Sequence, residues 1–129
     1  MCPVAPSSFI SIVDDDESCR ESVVDYVRCL GFAAEGFSSA EAFLASERLR
    51  ETKCLVLDIR MPGMDGLSLQ RLLHASHPEI PIIFISAHGD DETRARALRG
   101  GAIDCLRKPF VADQLGAAIQ AAVGRSEPQ

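Results

Sequence analysis

Residues 54–66 read Cys-Leu-Val-Leu-Asp-Ile-Arg-Met-Pro-Gly-Met-Asp-Gly, and the first five of them decide the fold that we predict. Cys54 to Leu57 is a short apolar run, which is typical of a central strand buried on both faces of a parallel sheet. The run ends at Asp58, so this strand carries a carboxylate at its carboxyl end. The rest of the prediction is built outward from that strand.

Similar apolar runs alternate with longer amphipathic stretches along the whole chain. Strands are predicted at 9–13, 33–37, 54–57, 82–85 and 103–106. Helices are predicted at about 16–30, 38–50, around 69–73, at 90–99 and through 115–123. This alternation predicts an α/β protein with a (βα)5 doubly wound, flavodoxin-like fold. The five parallel strands are expected in the order 2-1-3-4-5, with helices on both faces.

Apolar residues at helical spacing predict which side chains point inward. The inward residues are Val23, Val27 and Leu30 in the first helix, Phe43 and Leu44 in the second, Leu69, Leu72 and Leu73 in the third, and Leu115, Ile119 and Val123 in the last. Gly31 is placed to end the first helix as its C′ residue. The Ser and Glu residues of 38–41 have the spacing of a capping box for the second helix.

The composition is that of one globular domain. The chain has 129 residues, 47% of them hydrophobic, and a net charge of −6. We expect one domain over residues 9–123, with flexible termini or a linker at 1–8 and 124–129. The negative charge argues against direct nucleic-acid binding by this domain. No apolar run reaches membrane-spanning length and residues 1–8 do not resemble a secretory signal, which favours a cytoplasmic location without membrane contact.

Polar residues follow four of the predicted strands at the point where each strand ends. They are Asp14 and Asp15 after the first strand, Asp58 at the third, Ser86 at the fourth and Lys108 after the fifth. Ligands of open parallel sheets bind beyond the carboxyl ends of the strands, so these side chains are expected to converge there. A single helix cap would explain one Asp of the pair, but not the recurrence at successive strand ends.

Three carboxylates in one place repel one another, and a cation would relieve that repulsion. Oxygen ligands favour a hard divalent ion, and Mg²⁺ commonly bridges carboxylates to phosphate oxygens. An Asp carboxylate can attack phosphorus when metal, ammonium and hydroxyl groups neutralise the transferred group. The sequence therefore predicts phosphate chemistry at Asp58 with Mg²⁺, Lys108 and Ser86.

Four segments together resemble the response-regulator receiver domains of two-component signalling, and are most similar to the FixJ-type branch. The segments are residues 12–16, 57–66, 85–87 and 108–110. The resemblance implies that Asp58 is the phosphoacceptor, that Asp15 binds Mg²⁺ directly and that Asp14 assists through water. It also implies that Arg60 contributes only its backbone carbonyl to the metal, and that Ser86 and Lys108 contact the phosphoryl oxygens. Lys108-Pro109 is expected to have a cis peptide bond.

The same resemblance implies a way of working and a set of partners. The domain is expected to be a switch and not an enzyme, with self-catalysed phosphorylation and slow autodephosphorylation. The expected phosphodonor is a histidine kinase. A downstream output domain or protein is expected to read the switch, and phosphorylation can be linked to formation of a homodimer. In FixJ-type proteins the output domain often regulates transcription.

One position departs from the receiver pattern. The switch in the family uses Ser or Thr at the position of Ser86 and an aromatic residue on the fifth strand, where this chain has Cys105. A packing role for Cys105 is expected, with redox sensing as the alternative that nearby cations would support. None of the five cysteines forms a C-x-x-C pair, so neither disulfides nor zinc are expected. Arg60 and His88 are hypothesised to tune the lifetime of the phosphoryl group.

Two other functions fit part of the pattern. One is a Mg²⁺-dependent phosphatase with an Asp nucleophile on a related sheet. That enzyme would have a second Asp two residues after the nucleophile as general acid, where this chain has Arg60. The other is a receiver-like scaffold that works without phosphorylation, for which the unusual Cys105 is the only support.

Overall fold

A computed structural model describes residues 9–61, 63–86, 91–108 and 112–126. Its sheet has five parallel strands in the order β2-β1-β3-β4-β5, which confirms the predicted topology. The strands are β1 (Phe9–Val13), β2 (Ala33–Phe37), β3 (Thr52–Asp58), β4 (Ile82–Ser86) and β5 (Asp104–Arg107). β3 lies at the centre of the sheet, as its apolar run indicated.

Helices follow the strands along the chain. They are α1 (Glu17–Cys29), α2 (Ala40–Leu44), α3 (Gly66–Ser76), α4 (Asp91–Arg99) and α5 (Ala112–Ser126). The second predicted helix is shorter than expected, because the chain forms a separate 3₁₀ turn over Glu47–Glu51. Ser46 begins that turn by accepting a hydrogen bond from the Arg48 N–H, a local bond of the kind that competes with a continuous helix.

The core has one layer on each face of the sheet. Cys54 and Val56 of β3 pack with α1 and α5, whereas Leu55 and Leu57 pack with α2, α3 and α4. Alternate side chains of a strand point to opposite faces, and here both faces are apolar. The buried strand thus holds its last residue, Asp58, at a fixed position at the carboxyl end of the central strand.

Some predicted details are wrong. Leu72 is 38% exposed, because Leu69 and Leu73 form the inward stripe and Leu72 lies at its margin. Leu30 is only half-buried, because it lies at the end of α1, although Gly31 has the positive φ (104°) expected of a C′ residue. α5 continues through Gly124 to Ser126, past the predicted boundary, since one Gly costs a helix only about 1 kcal/mol relative to Ala.

The predicted capping box of α2 is also different in the structure. Ser39 is the N-cap, and its hydroxyl accepts a hydrogen bond from the backbone N–H of Ala42 at 3.0 Å. Because the N-cap is Ser39 and not Ser38, Glu41 is the second residue of the helix and does not have the position of the box residue. Its carboxylate instead accepts a hydrogen bond from the backbone N–H of Met64. None of the helices in the described ranges is long and apolar enough to cross a membrane.

Candidate functional site

The sheet brings the predicted polar residues together at its carboxyl edge. Asp14 follows β1, Asp58 ends β3, Ser86 ends β4 and Lys108 follows β5. Asp14, Asp58 and Ser86 are buried, and Asp15 is exposed at the mouth of the site. These strands are neighbours in the sheet, so their ends place the side chains in one cluster.

Asp14, Asp15 and Asp58 form an acidic cluster of the kind that holds a metal ion. Each offers a carboxylate oxygen, and these atoms lie within 4.8 Å of one another. The donors are hard oxygen atoms, which suit Mg²⁺ rather than a softer metal. Asp15 faces solvent, which leaves a side of the site open to the waters and phosphate oxygens that Mg²⁺ commonly retains. The residues present therefore fit the predicted ion.

Lys108 places a positive charge inside this cluster. Its Nζ lies 3.0 Å from Asp14 Oδ2 and 3.6 Å from Asp58 Oδ2. Its backbone N–H donates to the carbonyl of Ser86 at 2.8 Å, which fixes the start of the side chain against the end of β4. The ammonium group thus faces the carboxylate that is predicted to react.

The two buried carboxylates have opposite pKa shifts. Burial, together with the hydrogen bond and the negative charge of Asp14, raises the pKa of Asp58 to about 7, although Lys108 opposes this change. Burial would also raise the pKa of Asp14, but hydrogen bonds from the Asp16 amide, the Cys19 thiol and Lys108 lower it below its ordinary value. The charge of Lys108 is therefore not enough to keep both carboxylates readily ionised.

The loop from β3 to α3 folds back against the end of β3. The backbone N–H of Arg60 donates to Asp58 Oδ1 at 3.3 Å, and that of Gly66 donates to the Ile59 carbonyl at 2.8 Å. A Cβ on Gly66 would lie 2.5 Å from the Asp58 carbonyl oxygen, so the close contact requires glycine. Asp65 caps α3 by accepting from the Ser68 N–H at 2.8 Å.

The family model described as "Response regulator receiver domain" matches residues 10–120. This chain belongs to the response-regulator receiver family. The response regulator protein TodT of Pseudomonas putida is 44% identical over 117 residues, which cover 91% of this chain and 52% of TodT. The transcriptional regulatory protein FixJ of Bradyrhizobium diazoefficiens is 37% identical over 119 residues, which cover 92% of this chain and 58% of FixJ.

Solved structures agree with this assignment. The crystal structure titled FixJ-N is 36% identical, with a TM-score of 0.83 over 95% of this chain and 98% of that chain. A receiver domain protein from Clostridium thermocellum is 26% identical, with a TM-score of 0.85, and the match covers 92% of this chain and 95% of that chain. The receiver domain spans about half the length of the curated relatives it matches. Receiver domains are phosphorylation switches of two-component systems, so neither the phosphatase nor the scaffold is favoured.

Two residues near the site of this receiver domain were not predicted. The Cys19 thiol makes a hydrogen bond to Asp14, and the Arg20 guanidinium donates to the Asp14 carbonyl at 2.8 Å. Burial, followed by the bond to Asp14, raises the pKa of Cys19 to about 11. Both residues lie near the start of α1. Because this helix was predicted to begin directly after Asp14 and Asp15, the sequence could have indicated that its first residues lie beside the site.

The predicted switch and tuning residues have different outcomes. Cys105 is buried in the apolar cluster on the face of the sheet that α2, α3 and α4 cover. Burial and the charge of Asp104 raise its pKa even though Arg94 and Arg107 oppose the change. The cations that would have supported redox sensing at Cys105 therefore do not lower its pKa overall, and its burial is compatible with the expected packing role.

The Arg60 side chain is exposed and lines a cleft with Met61 and Arg96. The predicted tuning residue His88 and the Pro109 of the expected cis bond lie outside the described residues.

Proposed function

We propose that Asp58 of this receiver domain accepts a phosphoryl group, and that its phosphorylation changes which partner the domain binds. The observation that supports this most strongly is the position of the Asp58 carboxylate, which lies in an acidic cluster and 3.6 Å from the Lys108 ammonium. That arrangement combines a nucleophile with groups that bind cation and phosphate.

In the proposed reaction a carboxylate oxygen of Asp58 attacks the phosphorus of the donor. The bond from phosphorus to the donor's leaving group breaks, and the leaving group keeps the electron pair. The product is an acyl phosphate on Asp58. The carboxylate must be ionised to attack, and its pKa of about 7 in the metal-free site means that a cation is needed for full ionisation near neutral pH.

Mg²⁺ would supply that cation and would neutralise charge on the phosphoryl oxygens. We assign its direct protein ligands as Asp15, Asp58 and the backbone carbonyl of Arg60, with Asp14 assisting through water. The Lys108 ammonium and the Ser86 hydroxyl would contact the phosphoryl oxygens. Lys108 would also balance the charge of the buried Asp14, which it already contacts at 3.0 Å.

The domain would catalyse its own phosphorylation and lose the phosphoryl group slowly by hydrolysis. Arg60 and His88 are proposed to tune that loss from positions two residues beyond Asp58 and Ser86. Decay of the acyl phosphate should be compared in wild type, Arg60→Ala and His88→Ala. Unchanged half-lives in both variants would discard this role.

Ser86 and Cys105 are proposed to carry the change from the site to the surface. They lie on the neighbouring strands β4 and β5, where Cys105 pairs with Phe84, two residues before Ser86, and both are buried. Cys105 is smaller than an aromatic side chain, so other side chains on that face of the sheet would have to share the movement.

The proposed partners follow from the family and from the relatives. A histidine kinase would donate the phosphoryl group in the cytoplasm. A downstream output domain or protein would read the switch, and phosphorylation would promote formation of a homodimer. The relatives FixJ and TodT are about twice as long as the matched segment, which supports an attached output domain. The receiver unit would comprise residues 9–123, together with the last turn of α5, which continues to Ser126.

The proposal is tested by incubating the chain with Mg²⁺ and acetyl phosphate and measuring the intact mass. Wild type should gain one phosphoryl group, and the gain should disappear when Mg²⁺ is chelated. Asp58→Asn should gain none, whereas Asp113→Asn, a control at an exposed Asp in α5, should behave as wild type. A wild type that gains no mass under these conditions would overturn the proposal.

A further inference from the structure

Glu41 connects α2 to the loop that follows Asp58. Its Oε2 accepts a hydrogen bond from the backbone N–H of Met64 at 3.1 Å, across 23 residues of sequence. Glu41 is exposed, and the capping of α2 is already provided by Ser39. The carboxylate therefore serves the loop and not its own helix.

The β3–α3 loop is fixed near both of its ends. Close to β3, the Arg60 N–H is bonded to Asp58, and at the start of α3 the N–H of Gly66 is bonded to Ile59. Among the loop residues that the structure describes, Met64 lies between these two anchors, and Glu41 is its side-chain partner. The Glu41 bond thus holds the middle of the loop.

Gly63 shows how closely the Glu41 carboxylate lies against this loop. Its φ is +76°, a conformation that L side chains rarely adopt, so the loop turns sharply at this residue. A Cβ on Gly63 would lie 3.1 Å from Glu41 Oε2. The carboxylate therefore occupies the space beside Gly63 as well as accepting from Met64.

We propose that Glu41 is a positioning residue for the metal site, because it holds the β3–α3 loop in the shape that presents the Arg60 carbonyl. This inference rests on the proposed function, in which that carbonyl is a Mg²⁺ ligand. A loop that is already ordered loses less conformational entropy when the ion binds. Glu41 would act through the Met64 amide and would not touch the ion.

The inference predicts a specific defect in Glu41→Ala. Loss of one hydrogen bond to a charged group should weaken Mg²⁺ binding about three- to tenfold, measured by calorimetric titration of the whole chain. The initial rate of acetyl phosphate labelling should fall at low Mg²⁺ and recover at saturating Mg²⁺. The Met64 amide proton should also exchange faster with solvent, because it has lost its acceptor.

Matched variants separate this role from a general effect on folding. Glu41→Gln keeps a side-chain oxygen that can accept from Met64, and should restore most of the Mg²⁺ affinity. Glu79→Ala removes an equal charge from an exposed turn before β4 and should leave the affinity unchanged. If Glu41→Ala folds poorly, Glu41→Met provides the same test, since Met is a good helix former without a comparable acceptor.

The outcomes are distinguishable. The inference is supported if Glu41→Ala and Glu41→Met bind Mg²⁺ more weakly while Glu41→Gln and Glu79→Ala do not. It is overturned if neither Glu41→Ala nor Glu41→Met weakens Mg²⁺ binding although the Met64 amide exchanges faster. It is also overturned if Glu79→Ala weakens Mg²⁺ binding as much as Glu41→Ala does. A wild type that neither binds Mg²⁺ nor becomes labelled would instead overturn the proposed function itself.

Discussion

Lys108 and Asp14 form an ion pair that joins the segments following β5 and β1 at the carboxyl edge of the sheet. Their Nζ and Oδ2 atoms are 3.0 Å apart, and 94 residues separate them in the sequence. The Asp14 side chain has no exposed surface, and that of Lys108 is 17% exposed. The ammonium group therefore compensates a buried charge as well as facing Asp58.

Replacement of Lys108 by Met should destabilise the metal-free protein by about 1–3 kcal/mol, because a buried carboxylate is left without its cation. Urea unfolding near neutral pH with a chelator measures this. Arg50→Met is the control, since Arg50 is exposed in the 3₁₀ turn that precedes β3, at the opposite end of the sheet. Equal losses in the two variants would show that the Asp14 contact contributes nothing particular to stability.

Asp58 should make the metal-free protein less stable as pH rises. Folding raises its pKa from 3.8 to about 7, so the folded chain holds a proton that the unfolded chain releases between those values. The resulting stabilisation of the folded state is complete below pH 3.8 and is lost as the pH rises through about 7.

Asp58→Asn lacks this titration. Its free energy of unfolding should therefore rise relative to that of wild type as pH increases. We expect a relative gain on the order of 1–3 kcal/mol between about pH 5 and about pH 8 in urea unfolding with a chelator. Asp113→Asn, at an exposed position, should follow wild type throughout. A constant difference between Asp58→Asn and wild type over this range would contradict the raised pKa.

Gly66→Ala should be strongly destabilising. The added Cβ would lie 2.5 Å from the Asp58 carbonyl oxygen and 2.8 Å from Ile59 Cα, and both of these are backbone atoms that cannot rotate away. A loss of roughly 2–4 kcal/mol in unfolding free energy is expected from such overpacking. Gly124→Ala is the control, because no atom lies within 4 Å of its added Cβ. Similar effects at both glycines would refute the close contact.

Cys105 should be slow to react with iodoacetamide in the folded protein. It is 4% exposed and its thiol pKa is raised by burial, so little thiolate is present at the surface. Cys29 is exposed and is the internal control, and it should be alkylated first. Peptide mapping after timed alkylation measures both. Rapid labelling of Cys105 before unfolding would revive the redox alternative over a packing role.

The fold was predictable because its signals are local. The apolar run at residues 54–57 requires a strand buried on both faces, and its repetition between amphipathic stretches requires parallel strands with helical crossovers. Convergence of Asp14, Asp58 and Lys108 then follows, since parallel strands present their carboxyl ends at one edge. The family resemblance added the role of each residue, which spacing alone does not contain.

What the sequence did not predict depends on contacts between distant segments. Glu41 has the spacing of a capping residue, and only the approach of the β3–α3 loop gives its carboxylate a different partner. The cations beside Cys105 suggested a lowered pKa, but its burial in the folded chain outweighs them. Leu72 lies at the margin of the inward stripe of α3, where spacing does not decide exposure.

Chemical trapping of the phosphorylated residue tests the central proposal most directly. The chain is treated with acetyl phosphate and Mg²⁺, reduced with borohydride, which converts an aspartyl phosphate to homoserine, and mapped by peptide mass spectrometry. The account predicts homoserine at position 58 in wild type and its absence in Lys108→Met or without Mg²⁺ at equal exposure times. Homoserine at Asp14, Asp15 or Asp65 instead of Asp58, or none at all, would contradict it.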